Sequence, residues 1–114
     1  MSFGGSIDNR LAVYGTLAPG QSNHHVIADA GGAWRDGTVR GHLRIGGWGS
    51  AAGFPGLIPD TAADPVPVKL LVSDGLPSHL ARLDEFEGTE YARVRIPVDV
   101  DGTTVEAWIY ALKV

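Results

Sequence analysis

The sequence predicts an α+β protein, a small mixed, mostly antiparallel β-barrel or sheet with flanking helices. Three observations lead there. Tyr91 to Val100 and Thr103 to Leu112 flank Asp101-Gly102, the strongest short signal for a two-residue hairpin. Leu76 to Glu87 carries leucines at helical spacing. The remaining apolar runs are short and separated by glycine and proline clusters, giving the order strand, helix, several strands, helix, hairpin.

Length and composition bound the rest. With 114 residues the chain suits one domain, expected over residues 10–114 after a loose, aperiodic tail at 1–9. A net charge of −4 offers no basic field for nucleic acid. The absence of cysteine removes disulfides, thiolate catalysis and cysteine metal sites. The longest apolar runs fall well short of ~18 residues and the first ten lack a signal-peptide pattern, so the expected setting is soluble and cytoplasmic, without a membrane partner.

Along the chain, Leu11 to Tyr14 suit a buried strand broken by Gly15. Ala18-Pro19-Gly20-Gln21 reads as a turn. Asn23 is placed to cap a short helix through about Ala30, with Gly31-Gly32 stopping it. Ala33 to Ile45 suggests two short strands parted at Gly37 or Gly41. Gly46 to Gly56 reads as a loop, and Phe54-Pro55-Gly56 forbids the helix that a phosphate-binding loop needs. Leu57-Ile58 form a short strand ended by Pro59. Val66 to Ser73 follow as a strand whose Pro67 implies an edge or first ladder position. Asp74 is placed to cap the next helix, with Pro77 in its first turn.

That helix carries the candidate chemistry. At 100° per residue, Leu76, Leu80 and Leu83 fall within roughly 60° of one another, and Glu87 continues their line while Glu85 points about 160° away. Gly88 reads as the helix-ending glycine. Burial, and a place at the negative end of the helix dipole, would both raise the pKa of Glu87. An acid so placed suits proton transfer. The same residues also fit a solvated, frayed helix end rich in acids (Asp84, Glu85, Glu87, Glu90).

Closing the Asp101-Gly102 turn pairs Val100 with Thr103, Val98 with Val105, Ile96 with Ala107 and Val94 with Ile109, an apolar face expected to be buried. The opposite face pairs Arg95 with Trp108 and Arg93 with Tyr110, setting arginines across from aromatic rings.

Two stretches together resemble the gamma-glutamylcyclotransferase-like superfamily, including its avirulence-induced-gene and gamma-glutamylamine cyclotransferase types. They are Val13-Tyr14-Gly15-Thr16-Leu17, and Leu83-Asp84-Glu85-Phe86-Glu87-Gly88 followed by Tyr91 and Arg93. Gly20, Asn23 to His25, Phe54-Pro55-Gly56-Leu57 and Trp108-Ile109-Tyr110 support the resemblance, which spans about residues 11–112. Where the family often shows Gly-Glu-x-[Tyr/Phe], this chain has Val68-Lys69-Leu70-Leu71. The resemblance implies a small barrel and cleavage of a gamma-glutamyl amine or amide to 5-oxoproline and a free amine, with no cofactor. It maps the catalytic glutamate onto Glu87, the substrate-holding turn onto Tyr14, Gly15, Thr16 and Leu17, and a tyrosine near the site onto Tyr91.

The competing readings are weaker on geometry. A carboxylate pair for glycoside hydrolysis is opposed by the helical phase of Asp84 and Glu85 relative to Glu87. His24, His25, His42 and His79 show no metal-binding spacing, and His24-His25 read as a polar loop lining the pocket. Trp34, Trp48 and Trp108 read as core or rim residues. The Gly46 to Gly56 loop is expected to rim the pocket. The substantive alternative is a non-catalytic small-molecule-binding or interaction domain on the same scaffold.

Overall fold

A computed structural model describes residues 6–15, 17–21, 24–45, 55–89 and 91–112. Its strands are β1 (Arg10–Val13), β2 (Ala33–Ile45), β3 (Pro55–Pro59), β4 (Pro65–Val72), β5 (Tyr91–Val100) and β6 (Thr103–Leu112). Two short helices, α1 (His25–Ala28) and α2 (Leu80–Glu87), and 3-10 turns at Ile7–Asn9 and Leu76–His79 complete it.

The strands close into a ring. β1 pairs antiparallel with β4, β4 with β2 and β2 with β3; β3 then pairs in parallel with β6, and β6 in parallel with β1. β5 lies along β6 as an additional strand and touches β2 at Thr38↔Asp99. This is the mixed, mostly antiparallel barrel with flanking helices that the sequence predicts.

Residue alternation sorts the core into two layers. Ala12, Val39, Leu57, Leu70 and Ile109, one from each strand of the ring, belong to a single buried cluster that fills the barrel, together with Ile96, Val98 and Val100 of β5. Their neighbours Leu11, Val13, Leu71 and Tyr110 face the other way and pack with Leu17, Ile27, Leu76, Leu80 and Leu83 from the helices and turns. Both faces of β1, β4 and β6 are therefore covered, which explains continuous apolar runs such as Leu11-Ala12-Val13.

The hairpin has the predicted register, from Val100↔Thr103 through Val94↔Ile109. Asp101 (φ 51°) and Gly102 (φ 80°) both take the left-handed backbone that a two-residue hairpin turn of this type requires. Ile96, Val98, Ala107 and Ile109 are buried, while Val94 and Val105 pack more loosely against the same cluster. Pro67 also fits its prediction. It pairs with Thr38 of β2, whereas β1 reaches β4 only from Lys69 to Val72, so the other side of Pro67 is a local edge.

Five expectations are corrected. Residues 33–45 form one strand instead of two, because β2 changes partner at Gly41 without breaking: it pairs with β4 up to Arg40 and with β3 from Gly41. The glycines serve close approach. A Cβ on Gly41 would lie 2.7 Å from the Ile58 carbonyl oxygen, and one on Gly37 would lie 3.0 Å from that of Asp99. Residues 6–9, placed in a loose tail, instead form a 3-10 turn that is tied down: Asn9 accepts the Ser73 amide (2.8 Å) and Asp8 accepts the Trp108 indole N–H (2.8 Å). The segment 76–87 is a 3-10 turn followed by an α-helix, with Pro77 in the first turn as predicted. Asp74 does not cap it: Gly75 holds that position, and its amide bonds the buried Ser73 hydroxyl (3.1 Å), which in turn donates to the Ala30 carbonyl (2.7 Å). The helix predicted from Asn23 to Ala30 is the single turn α1; Asn23 lies outside the described residues.

Candidate active site

The site forms where the end of β1, the end of α2 and the hairpin strands meet. In α2, Leu80 and Leu83 are buried, and Leu76 is buried in the turn before it. Glu87, one turn beyond Leu83, is partly buried while Glu85 is exposed, as the helical phase predicts. Gly88 (φ 78°) ends the helix, its amide bonding the Asp84 carbonyl at 3.2 Å. Burial pushes the Glu87 carboxyl up to about 7, so that near neutrality it exists in both protonation states.

Glu87 lies close enough to Tyr14 and Tyr110 to disfavour their ionisation, and Tyr91 acts in the same way on Tyr14. Burial is the main reason that both Tyr14 and Tyr110 stay protonated far above neutral pH. Three of the predicted residues, Tyr14, Glu87 and Tyr91, are thus brought together from the end of β1, from α2 and from β5.

Tyr14 follows the last residue of β1, and its hydroxyl bridges two other strands. It donates to the Tyr110 carbonyl of β6 (2.5 Å) and accepts the Leu57 amide of β3 (3.0 Å). Just beyond it, the Gly15 carbonyl accepts the Ala18 amide (3.2 Å). Leu17 is buried in the helix-side core, in the same cluster as Tyr110, and its carbonyl accepts Nδ1 of His24 (2.9 Å). The His24 ring also packs on Trp34, centroids 5.6 Å apart. Thr16 and residues 46–54 of the expected pocket rim lie outside the described residues; Pro55 and Gly56, placed in that loop by the sequence, belong to β3.

A network that the sequence did not single out lies against this group. Asp84 Oδ1 accepts Arg93 Nε (2.7 Å) and the Tyr110 hydroxyl (2.7 Å), while Oδ2 accepts Arg93 Nη2 (3.2 Å). The paired guanidinium holds the Asp84 carboxyl below the usual carboxylate range. Arg93 also stacks on Trp108, 4.5 Å from the ring centroid. The arginine-aromatic contact is thus diagonal across the hairpin, while the directly opposite partner, Tyr110, is reached through Asp84. The register placed Arg93 and Tyr110 side by side; what it could not supply was the third group, from a helix.

The histidines are dispersed: His25 is exposed, His42 pairs with Asp60 (3.0 Å), and His79 Nδ1 bonds the Gly75 carbonyl (2.9 Å). Among the described residues, no three His, Asp or Glu side chains converge as a metal site. None of the described helices is long and apolar enough to cross a membrane.

The barrel and the sequence together place the chain among known proteins. The profile of the family described as gamma-glutamyl cyclotransferase, AIG2-like, matches residues 11–114. The chain belongs to that family. The crystal structure of an AIG2-like protein from Mus musculus superposes with a TM-score of 0.70 at 27% identity, covering 90% of this chain and 76% of that one. A uropathogenic E. coli-specific protein gives 0.69 at 23% identity, covering 92% and 79%. YkqA from Bacillus subtilis gives 0.72 at 24% identity; this chain covers 36% of its length and 92% of its own. The latter two likenesses concern the fold alone. No curated protein sequence matched the chain.

Proposed function

We propose that this protein is a gamma-glutamyl cyclotransferase that converts a gamma-glutamyl amine or amide to 5-oxoproline and a free amine, with Glu87 as the general acid/base. The observation that carries this reading is the partly buried carboxyl of Glu87, raised to about 7 at the end of α2 and set beside Tyr14 and Tyr110.

The substrate supplies its own nucleophile, the alpha-amine. When it folds back on the gamma-carbonyl, a five-membered ring closes, and holding that conformer supplies much of the rate advantage. Glu87, ionised, takes a proton from the alpha-ammonium. The freed nitrogen then attacks the gamma-carbonyl carbon, forming the ring C–N bond. In the tetrahedral intermediate the ring nitrogen still carries two hydrogens and gives the second of its protons to water. As the intermediate collapses, the bond to the leaving nitrogen breaks, the protonated Glu87 returns its proton to that nitrogen, and the freed amine takes up a further proton from water. A carboxyl near pKa 7 is suited to both transfers at neutral pH. The turn that starts at Tyr14 and Gly15 and ends at Leu17 is assigned to the gamma-glutamyl group, acting through its main chain at Leu17, and Tyr91 to the opposite wall. Like the small-molecule substrate, a cytoplasmic setting belongs to this reading.

Incubation with a panel of gamma-glutamyl amines, assayed for 5-oxoproline, tests the proposal. Glu87→Gln should lower turnover by about 10²- to 10⁴-fold, while Glu85→Gln leaves it near wild type. A ligand-dependent melting shift without any product would make the chain a binding domain instead.

A further inference from the structure

The Asp84-Arg93-Tyr110 network has no assigned part in the reaction, yet it controls one proton beside Glu87. A tyrosine hydroxyl has one hydrogen to give. That of Tyr110 is given to Asp84 Oδ1 at 2.7 Å, and the acceptor is held in place by the two-pronged contact from Arg93, itself seated on Trp108. Trp108 is in turn anchored through its indole N–H on Asp8.

We infer that Asp84 is a positioning residue: by holding the Tyr110 hydroxyl proton, it leaves Tyr110 able only to accept hydrogen bonds on the Glu87 side of the site. Two consequences follow, and the second rests on the cyclotransferase reading. Glu87 receives no hydrogen bond from Tyr110, which would stabilise the carboxylate and lower its proton affinity; burial accordingly acts on Glu87 without opposition from that quarter. An acceptor-only oxygen also suits the substrate's alpha-ammonium, whose three hydrogens are all donors.

The titratable groups coupled to Glu87 are Tyr14, just after β1, and Tyr110 of β6; Tyr91 of β5 faces Tyr14, while Arg93 of β5 and Tyr110 both engage Asp84 on the helix of Glu87 itself. Removing Asp84 therefore changes two things, the destination of the Tyr110 proton and the charge balance left by Arg93. Only the first passes through the Tyr110 hydroxyl, so a double-mutant cycle separates them.

The test is the titration of the Glu87 carboxyl, followed by carbon NMR on the full chain carrying carboxyl-labelled glutamate. Tyr110→Phe should leave the Glu87 midpoint where it is in the wild type. Asp84→Ala should lower it by about one pH unit, a tenfold loss of proton affinity, as the freed hydroxyl turns to Glu87. In the Tyr110→Phe background, Asp84→Ala should produce little of that shift. An upward shift in Tyr110→Phe alone would show that Tyr110 already donates to Glu87 and would overturn the inference. So would an Asp84→Ala shift that persists undiminished without the hydroxyl. If Asp84→Ala does not fold, the Tyr110→Phe titration decides by itself. None of these readouts requires turnover. A wild type that makes no 5-oxoproline would sink the proposed function and leave the Asp84 result standing, and an active wild type with the wrong titration would do the reverse.

Discussion

The hydroxyl of Tyr14 donates to the carbonyl of Tyr110 across 2.5 Å, and the hydroxyl of Tyr110 donates to Asp84. Tyr110 thereby joins two separate hydrogen bonds, one at its main-chain carbonyl and one at its hydroxyl, that tie the end of β1 and the helix carrying Glu87 to β6. A residue mapped by resemblance onto the substrate-holding turn is thus also a structural tie, because its hydroxyl accepts the Leu57 amide as well.

That double engagement gives the first prediction. Tyr14→Phe keeps the ring but leaves the Leu57 amide and the Tyr110 carbonyl without their partner in a partly buried place. Stranding such groups costs about 1–3 kcal/mol, which urea unfolding should detect as a lower midpoint with an unchanged slope. Because the hydroxyl is already occupied by backbone, turnover well below the melting temperature should fall by less than about tenfold, far less than for an acid/base residue. A stability loss below roughly 0.5 kcal/mol would show that the β3-β6 bridge does not depend on Tyr14.

The second prediction concerns the strand that the sequence divided. Gly41→Ala places a Cβ 2.7 Å from the Ile58 carbonyl oxygen and 2.8 Å from Leu57 Cδ1. The first of these is backbone and cannot swing away, so β2 and β3 must separate where β2 changes partner. Overpacking of this kind costs about 1–3 kcal/mol. Thermal or urea unfolding checks it, and an Ala variant as stable as wild type would mean that β3 can shift without loss.

How far the sequence carried depends on whether a contact is set locally. The hairpin register was fully legible because a two-residue turn fixes every pairing after it, from Val100↔Thr103 to Tyr91↔Leu112. The contrast between Glu87 and Glu85 was legible because both lie on one helix with one period. The partnership of Asp84 was not legible, because Arg93 and Tyr110 come from two strands whose approach to the helix no single-element pattern contains. A break at Gly37 or Gly41 is what the sequence suggests, because a glycine that ends a strand and one that admits a crossing neighbour look alike in a sequence. The docking of Asp8 and Asn9 was hidden for a related reason: their partners, Trp108 and Ser73, are far along the chain.

The last prediction follows from the sign of the Glu87 shift. Its folded value, about 7, lies above the ordinary 4.5, so between these values the native state binds more protons than the unfolded chain. Stability must then fall as pH rises from about 4.5 to about 7 and level off above, by at most about 3 kcal/mol for a shift of this size. Asp84 and Asp60, whose values are depressed, act with the opposite sign, their stabilisation disappearing as pH falls below the ordinary carboxylate range. The two windows barely overlap. Glu87→Gln should therefore match or exceed the wild-type melting temperature at pH 8 and lose that advantage toward pH 4.5, since the glutamine is neutral throughout, as expected where activity is gained at some cost in stability. The wild-type minus variant difference in melting temperature, followed from pH 4.5 to 8, isolates this one group, since every other side chain is common to the two proteins. A difference that stays flat across that range would show that Glu87 ionises as an ordinary surface carboxylate, and with it the case for Glu87 as the proton shuttle would fail.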